Sequence, residues 1–189
     1  MQWNKHSKDI PEGAHAFLGG SNYSWLNYDK EKLEAAYDRH MAKKRGVELH
    51  ALAAQLIKLK QKLPKSHKTL NAYVNDSIGF GMRPEQPLFY SKNCFGTADA
   101  IGFRKKVLRI HDLKTGVTKA SFHQLEIYAA LFCLEYRVRP SELGGCELRI
   151  YQTDEVFCEN PDSETIVKVM DKIITFDEYI EKIKENGYE

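Results

Sequence analysis

The sequence predicts an α/β domain: a central mixed β-sheet of about five strands flanked by helices, with a helical N-terminal part. Three observations predict it. Apolar residues recur at helical spacing up to about residue 80. Beyond Pro84 the pattern changes to short runs rich in apolar and aromatic residues, "QPLFYS", "CFGTADAIGF" and "VLRIHDLK", separated by basic or polar turns. A helical pattern, "SFHQLEIYAALFCLEYR", then precedes two further strand-like runs, "CELRIYQT" and "EVFCE".

Asp29 is placed to cap a helix through "KEKLEAAYDRHMAKKR", where Leu33, Ala36, Tyr37 and Met41 recur at helical spacing and Gly46 is the expected interruption. "VELHALAAQLIKLKQ" follows as a second helix, with Leu49, Leu52, Ala53 and Leu56 on one face and its end before Pro64. Thr69 is the expected cap of a third helix, "LNAYVNDSIGF", which the glycines at 79 and 81 close. Arg104, Lys105 and Lys106 fall where a hairpin turn belongs, and Thr153 with Asp154 joins the last two strands. The helix between the strand groups carries Leu125, Ala129 and Phe132 at helical spacing and a basic end at Arg137 and Arg139. Two closing helices are expected, "SETIVKVMDKII" and "FDEYIEKIKEN", the second opened by a capping box of Thr175 and Glu178.

A chain of 189 residues suits one domain, here spanning 1–189. Hydrophobic content of 42% beside 29% charged residues is ordinary for a globular protein and gives no sign of disorder. No apolar run approaches the roughly 20 residues that cross a bilayer. Residues 1–13, "MQWNKHSKDIPEG", lack the apolar core of a signal peptide, so a cytoplasmic location is the default. Cys94, Cys133, Cys146 and Cys158 form no Cys-x-x-Cys pair or zinc-finger cluster and read as reduced, mostly buried thiols. The net charge of +2 is uneven: residues 154–189 hold 11 acidic and 4 basic residues, which leaves +9 on the rest. A basic body suits a polyanionic partner, and the acidic tail also fits a solvated terminal helix.

The chemistry concentrates in residues 96–116, "GTADAIGFRKKVLRIHDLKTG". Residues two apart in a strand share a face, so Asp112 and Lys114 project together while Leu113 points into a core. A hairpin turn at Lys105 and Lys106 returns the second strand beside the first and brings Asp99 toward Asp112. Two carboxylates that close repel unless a cation sits between them, and hard oxygen ligands suit Mg²⁺ or Mn²⁺. On the next helix Gln124 and Tyr128 stand four apart, one turn above the other. Lys119 and His123, near its start, can grip backbone phosphates. His50, in an otherwise apolar helix, is either a core histidine or a nitrogen ligand. The lysines of residues 58–68 are a solvated helix end or a guide for nucleic acid. Tyr23, Trp25 and Tyr28 stack on bases or pack, packing being preferred for Trp25.

"RGVELH" ending at His50, Gly-Thr-Ala-Asp at 96–99, Asp-Leu-Lys at 112–114 and Gln-x-x-x-Tyr at 124–128, in that order, resemble the PD-(D/E)xK nuclease superfamily, and within it the RecB/Cas4-like exonuclease branch. The resemblance covers about residues 45–130. It implies a restriction-endonuclease-like core at about 84–160, with C-terminal helices at about 163–186. It further implies that His50, Asp99 and Asp112 are metal ligands, together with the backbone carbonyl of Leu113, and that Lys114 orients the attacking water. Gln124 and Tyr128 are implied to support that lysine and contact DNA. Glu85 matches a position where some members carry a further acidic residue, and it also fits a loop charge between Pro84 and Pro87. Members that hold an iron–sulfur cluster carry a cysteine ahead of the core, and nothing precedes Cys94, so no cluster is expected.

The implied activity is a Mg²⁺- or Mn²⁺-dependent deoxyribonuclease. An exonuclease on linear or single-stranded DNA, in replication, recombination or repair, is favoured over an endonuclease. Phage origin would place it in the host cytoplasm. A homo-oligomer, or a recombination or replication partner protein, is compatible with the family. The alternative is a non-catalytic DNA-binding or assembly subunit that retains the fold.

Overall fold

The basic turn expected at Lys105 and Lys106 is a hairpin turn in the computed structural model, with both residues at positive φ, 52° and 64°. Two left-handed residues match the twist of the strands they join. They connect β2 (Cys94–Arg104) to β3 (Val107–Leu113), and Thr153 with Asp154, at 51° and 60°, joins β4 (Gly145–Gln152) to β5 (Glu155–Glu159) in the same way. With β1 (Arg83–Ser91) the strands form one sheet in the order β1-β2-β3-β4-β5. Neighbours are antiparallel except β3 and β4, which run parallel. A parallel pair needs a crossover, and α3 (His123–Glu135) is that connection. The molecule is therefore α/β, a five-stranded mixed sheet flanked by helices.

The structure describes residues 15–187, so the leader reading of residues 1–13 falls outside it. The chain divides into two compact units between Arg45 and Gly46. In the first, Asp29 caps α1 (Lys30–Lys58) as expected, its Oδ1 accepting the Lys32 N–H at 2.7 Å. Trp25 donates to the Gly19 carbonyl at 3.2 Å, Tyr23 is exposed, and the Lys32 ammonium sits 4.9 Å from the Tyr28 ring centre.

Gly46 does not interrupt α1, which is unbroken over its 29 residues. One glycine costs a helix about 1 kcal/mol, which its strong helix-forming neighbours carry. In the second unit the position has a packing reason: a Cβ there would lie 2.8 Å from Thr115 Oγ1. Leu52 is 46% exposed, because the buried stripe runs through Ala53, Leu56 and Ile57 and leaves 52 at its edge.

Thr69 is the first residue of α2 (Thr69–Gly79) and not its cap. The cap comes from the distant β4–β5 turn, where Asp154 Oδ1 accepts the Thr69 N–H at 2.8 Å and its hydroxyl at 3.0 Å. The glycine end holds: Gly81 has φ 67°, its N–H meets the Ile78 carbonyl, and the Met82 N–H reaches back to Ser77. Those two bonds make a Schellman closure. The two expected closing helices are one, α4 (Ser163–Glu185), capped by Asp162, whose side chain accepts the Thr165 N–H at 2.7 Å. Thr175 cannot leave the helix to form its box, because Val169, Met170 and Ile173 pack on the core just before it and no glycine or proline stops the chain.

Two apolar clusters hold the sheet. Under α3, Leu88, Ala98, Leu108 and Ile110 meet Leu125, Ala129 and Ile166. On the opposite face Ala100, Leu113 and Tyr151 meet Ala53, Leu56, Tyr73 and Val74. All four cysteines are free; Cys133 and Cys146 are buried, Cys94 is half-buried and Cys158 exposed. Among the described residues no helix is long and apolar enough to cross a membrane.

Candidate functional site

The hairpin register brings three carboxylates to one level of the sheet. Ala100 pairs with His111 in the last rung of the β2–β3 ladder, so Asp99 and Asp112 both lie just beyond its end. On the other side Pro84 pairs with Ala100 and Gln86 with Ala98, while Glu85, opposite Asp99, drops out of the ladder with φ 49°. That conformation costs a non-glycine residue about 1–2 kcal/mol, and such strain gathers at functional sites. β2 changes its facing here as well. Ala98 and Ile101 both pack under α3, whereas Ala100 joins the opposite cluster.

Asp99 is thereby turned toward α1. Its Oδ2 lies 3.3 Å from His50 Nδ1 and accepts the Leu113 N–H at 2.9 Å. One ligand atom each from His50, Glu85 and Asp99 fall within 4.8 Å of one another, a set able to hold a divalent cation. Asp112 stands outside that set. It is 3% exposed, with the Lys114 amine against both oxygens, 3.1 Å from Oδ1 and 3.0 Å from Oδ2. Only the contact to Oδ1 has hydrogen-bond direction, so Oδ2 is buried without a hydrogen-bond partner.

The charges show strain of their own. The Asp99 carboxylate holds His50 above the usual imidazole range against the effect of burial. Burial first, and then Asp99, raise both Glu85 and Asp112, with Lys114 pulling Asp112 back down. Crowded, partly desolvated carboxylates favour a bound cation over three separate negative charges. A nitrogen-and-oxygen ligand set beside a buried carboxylate fits such an ion.

From Asp112 a chain of hydrogen bonds runs across to α3. Lys114 Nζ donates to Gln124 Oε1 at 2.9 Å, and Gln124 Nε2 donates to the Tyr128 hydroxyl at 3.0 Å. The shared face of Asp112 and Lys114, and the turn-spaced pair on the helix, are those read from the sequence. Leu113 is fully buried between them on the opposite face, as expected. Tyr128 crosses over β2 at Gly96, where a Cβ would meet its Cε1 at 2.8 Å. The expected DNA contacts are less directed. Lys119 is exposed in the β3–α3 connection, and His123 is bound to Glu126 at 2.9 Å.

Residue types alone did not reveal the support behind the site. Gln152, 4% exposed, holds the β3–α3 connection by donating to the Gly116 and Thr118 carbonyls at 2.6 and 2.8 Å and accepting from Ala120 N–H at 3.3 Å. Its signal was a glutamine closing the apolar run "LRIYQ". Beneath Leu113 the Tyr151 ring meets Tyr73 edge-on at 5.5 Å, and its hydroxyl donates to Asp76 at 2.8 Å. His111 Nδ1 lies 3.2 Å from that hydroxyl; burial, then Arg149 and Arg109, drive this imidazole down to about 3, so it is neutral.

Comparison of the chain with models of known protein families, with characterised proteins and with solved structures finds no match.

Proposed function

We propose that the protein is a Mg²⁺- or Mn²⁺-dependent deoxyribonuclease with a restriction-endonuclease-like core of the PD-(D/E)xK kind. The observation that carries this reading is the meeting of His50, Glu85 and Asp99 within 4.8 Å beside the buried Asp112 carboxylate and the Lys114 amine paired with it. His50, Glu85 and Asp99 would hold the cation, with the Asp112 carboxylate beside them and paired with Lys114. A bound divalent cation lowers the pKa of a ligated water and neutralises phosphate charge.

The chain's own residues supply the rest. An ammonium has three donors, and Lys114 gives two of them to Asp112 and Gln124. The third is available to the attacking water or to the charge that develops on the phosphate. Gln124 orients the amine from one side and the Tyr128 hydroxyl from the other. That hydroxyl, accepting from Gln124, keeps its own proton to donate to a phosphate oxygen. An exonuclease acting on DNA ends or single strands, in replication, recombination or repair, follows from the resemblance to the RecB/Cas4-like branch.

Digestion of end-labelled linear, circular and single-stranded DNA with Mg²⁺, Mn²⁺ or EDTA tests the reading. The expected result is cleavage that EDTA abolishes and that Lys114→Ala reduces about 100-fold or more. Cleavage that persists in EDTA, or undiminished cleavage by Lys114→Ala, overturns it. Metal-insensitive DNA binding without cleavage would support a non-catalytic DNA-binding subunit instead.

A further inference from the structure

The hairpin of β1 and β2 is covered on one face only. Leu88 and Ala98 are buried beneath α3, and Gly96 lies under Tyr128. Alternation sends Phe89 and Phe95 to the other face, where they stand 52% and 68% exposed. They are cross-strand partners, and their rings lie 6.4 Å apart at an interplanar angle of 24°. Single exposed apolar residues are ordinary, whereas two large rings stacked side by side in water form a patch that calls for an occupant.

The neighbourhood selects the occupant. Along the same face the next residues are the uncharged, exposed Pro87 and Thr97, and then Glu85 and Asp99 of the candidate site. Four residues of strand put the rings about 13 Å from those carboxylates. That is about four base steps at the 3.4 Å rise of a stacked strand. Beyond the carboxylates the charge turns positive. Lys58 ends α1 two turns beyond His50, about 12 Å along the helix, and Lys60, Lys62, Lys65 and Lys68 follow it, all exposed. A neutral aromatic platform, a cation-holding cluster and a basic tract complement a polyanion carrying flat apolar groups. Bases in a duplex already stack on one another, so only unpaired bases can use the rings.

We propose that Phe89 and Phe95 form a stacking platform for single-stranded nucleic acid, which runs from them across the candidate site toward the lysines of residues 58–68. The proposal rests on the nuclease reading for where the reacting phosphate lies, and the platform itself is testable without turnover. Anisotropy of a labelled oligodeoxythymidine and of a duplex of matched length, both in EDTA, compares the full chain with Phe89→Ala/Phe95→Ala and with Phe89→Trp/Phe95→Trp. Both rings are exposed, so an unchanged melting temperature is expected for each variant. The alanine pair is expected to weaken single-strand binding about tenfold or more, with duplex binding unchanged, and the tryptophan pair to retain it.

Unchanged single-strand affinity in the alanine pair, equal losses for duplex and single strand, or no single-strand binding by the native chain overturns the platform. So does sedimentation showing that the two rings instead drive association of two copies. Phenylalanine-dependent single-strand binding by a protein that never cleaves DNA sustains the platform and sinks the nuclease reading. Metal-dependent cleavage with alanine-insensitive binding does the reverse.

Discussion

Gly96 is the residue at which a single methyl group would do most to the candidate site. Its missing Cβ is the space through which Tyr128 crosses β2, with Cε1 only 2.8 Å from where that atom would be. Gly96→Ala is therefore expected to push Tyr128 off Gln124 and to cost about 1–3 kcal/mol in urea unfolding. In Gly96→Ala/Tyr128→Ala the clash has no partner, so the two losses are expected to be markedly less than additive. Strict additivity would show that the ring is free to move away. At this scale much was legible: the D-x-K spacing puts Asp112 and Lys114 on one face whatever the register, and Gln124 and Tyr128 follow from helix geometry. Glu85 was only half legible. Its entry into the cluster depends on a left-handed backbone and a missed rung of the ladder, and neither has a local signature in "RPEQP".

Among the elements, α2 has the least self-sufficient start. Its cap is Asp154, 85 positions away in sequence, and the Thr69 N–H and hydroxyl hold that carboxyl below its ordinary value of 3.8. A depressed carboxylate contributes stability that is fully present above the ordinary value and is lost as pH falls through the lower, folded one. Asp154→Ala is thus expected to melt below the native chain at pH 7, with the gap closing at pH values under about 3.8. A gap that stays constant across that range would assign the effect to packing. Tyr151→Phe is a second probe, since it removes the 2.8 Å hydroxyl donor to Asp76 Oδ2 and leaves that oxygen the Arg149 guanidinium at 3.0 Å. A loss of about 1–3 kcal/mol by chemical denaturation is expected. Element type and order were readable from period and turn chemistry, including both two-residue hairpins. What failed were the joints: the break at Gly46, the cap at Thr69 and the box at Thr175. Each local signal there competed with burial of a neighbouring apolar stripe or with a partner from another element, and the local signal is worth less.

For the molecule as a whole, the cluster is a tie between α1, β1 and β2, since His50, Glu85 and Asp99 come one from each. A ligand that binds only the folded chain stabilises it by about 2.7 kcal/mol at 100 times its Kd. Mn²⁺ is expected to raise the melting temperature of the native chain, EDTA to reverse the rise, and Glu85→Ala to remove most of it. Coincident melting curves with and without the ion, at saturating concentration, would show that the carboxylates serve another purpose. The same tie marks the boundary between chain and fold. Periodicity, turn residues and short-range spacing are properties of neighbours in sequence, so the α/β class, five strands in order and the paired faces of Asp112–Lys114 and Gln124–Tyr128 were present in the chain from the start. Which carboxylates meet His50 depends on strand register, on a reversal of facing at Asp99 and Ala100 and on one strained residue at Glu85. Those are set by long-range packing, where a one-residue shift turns every side chain to the other face, and no local pattern carries that information.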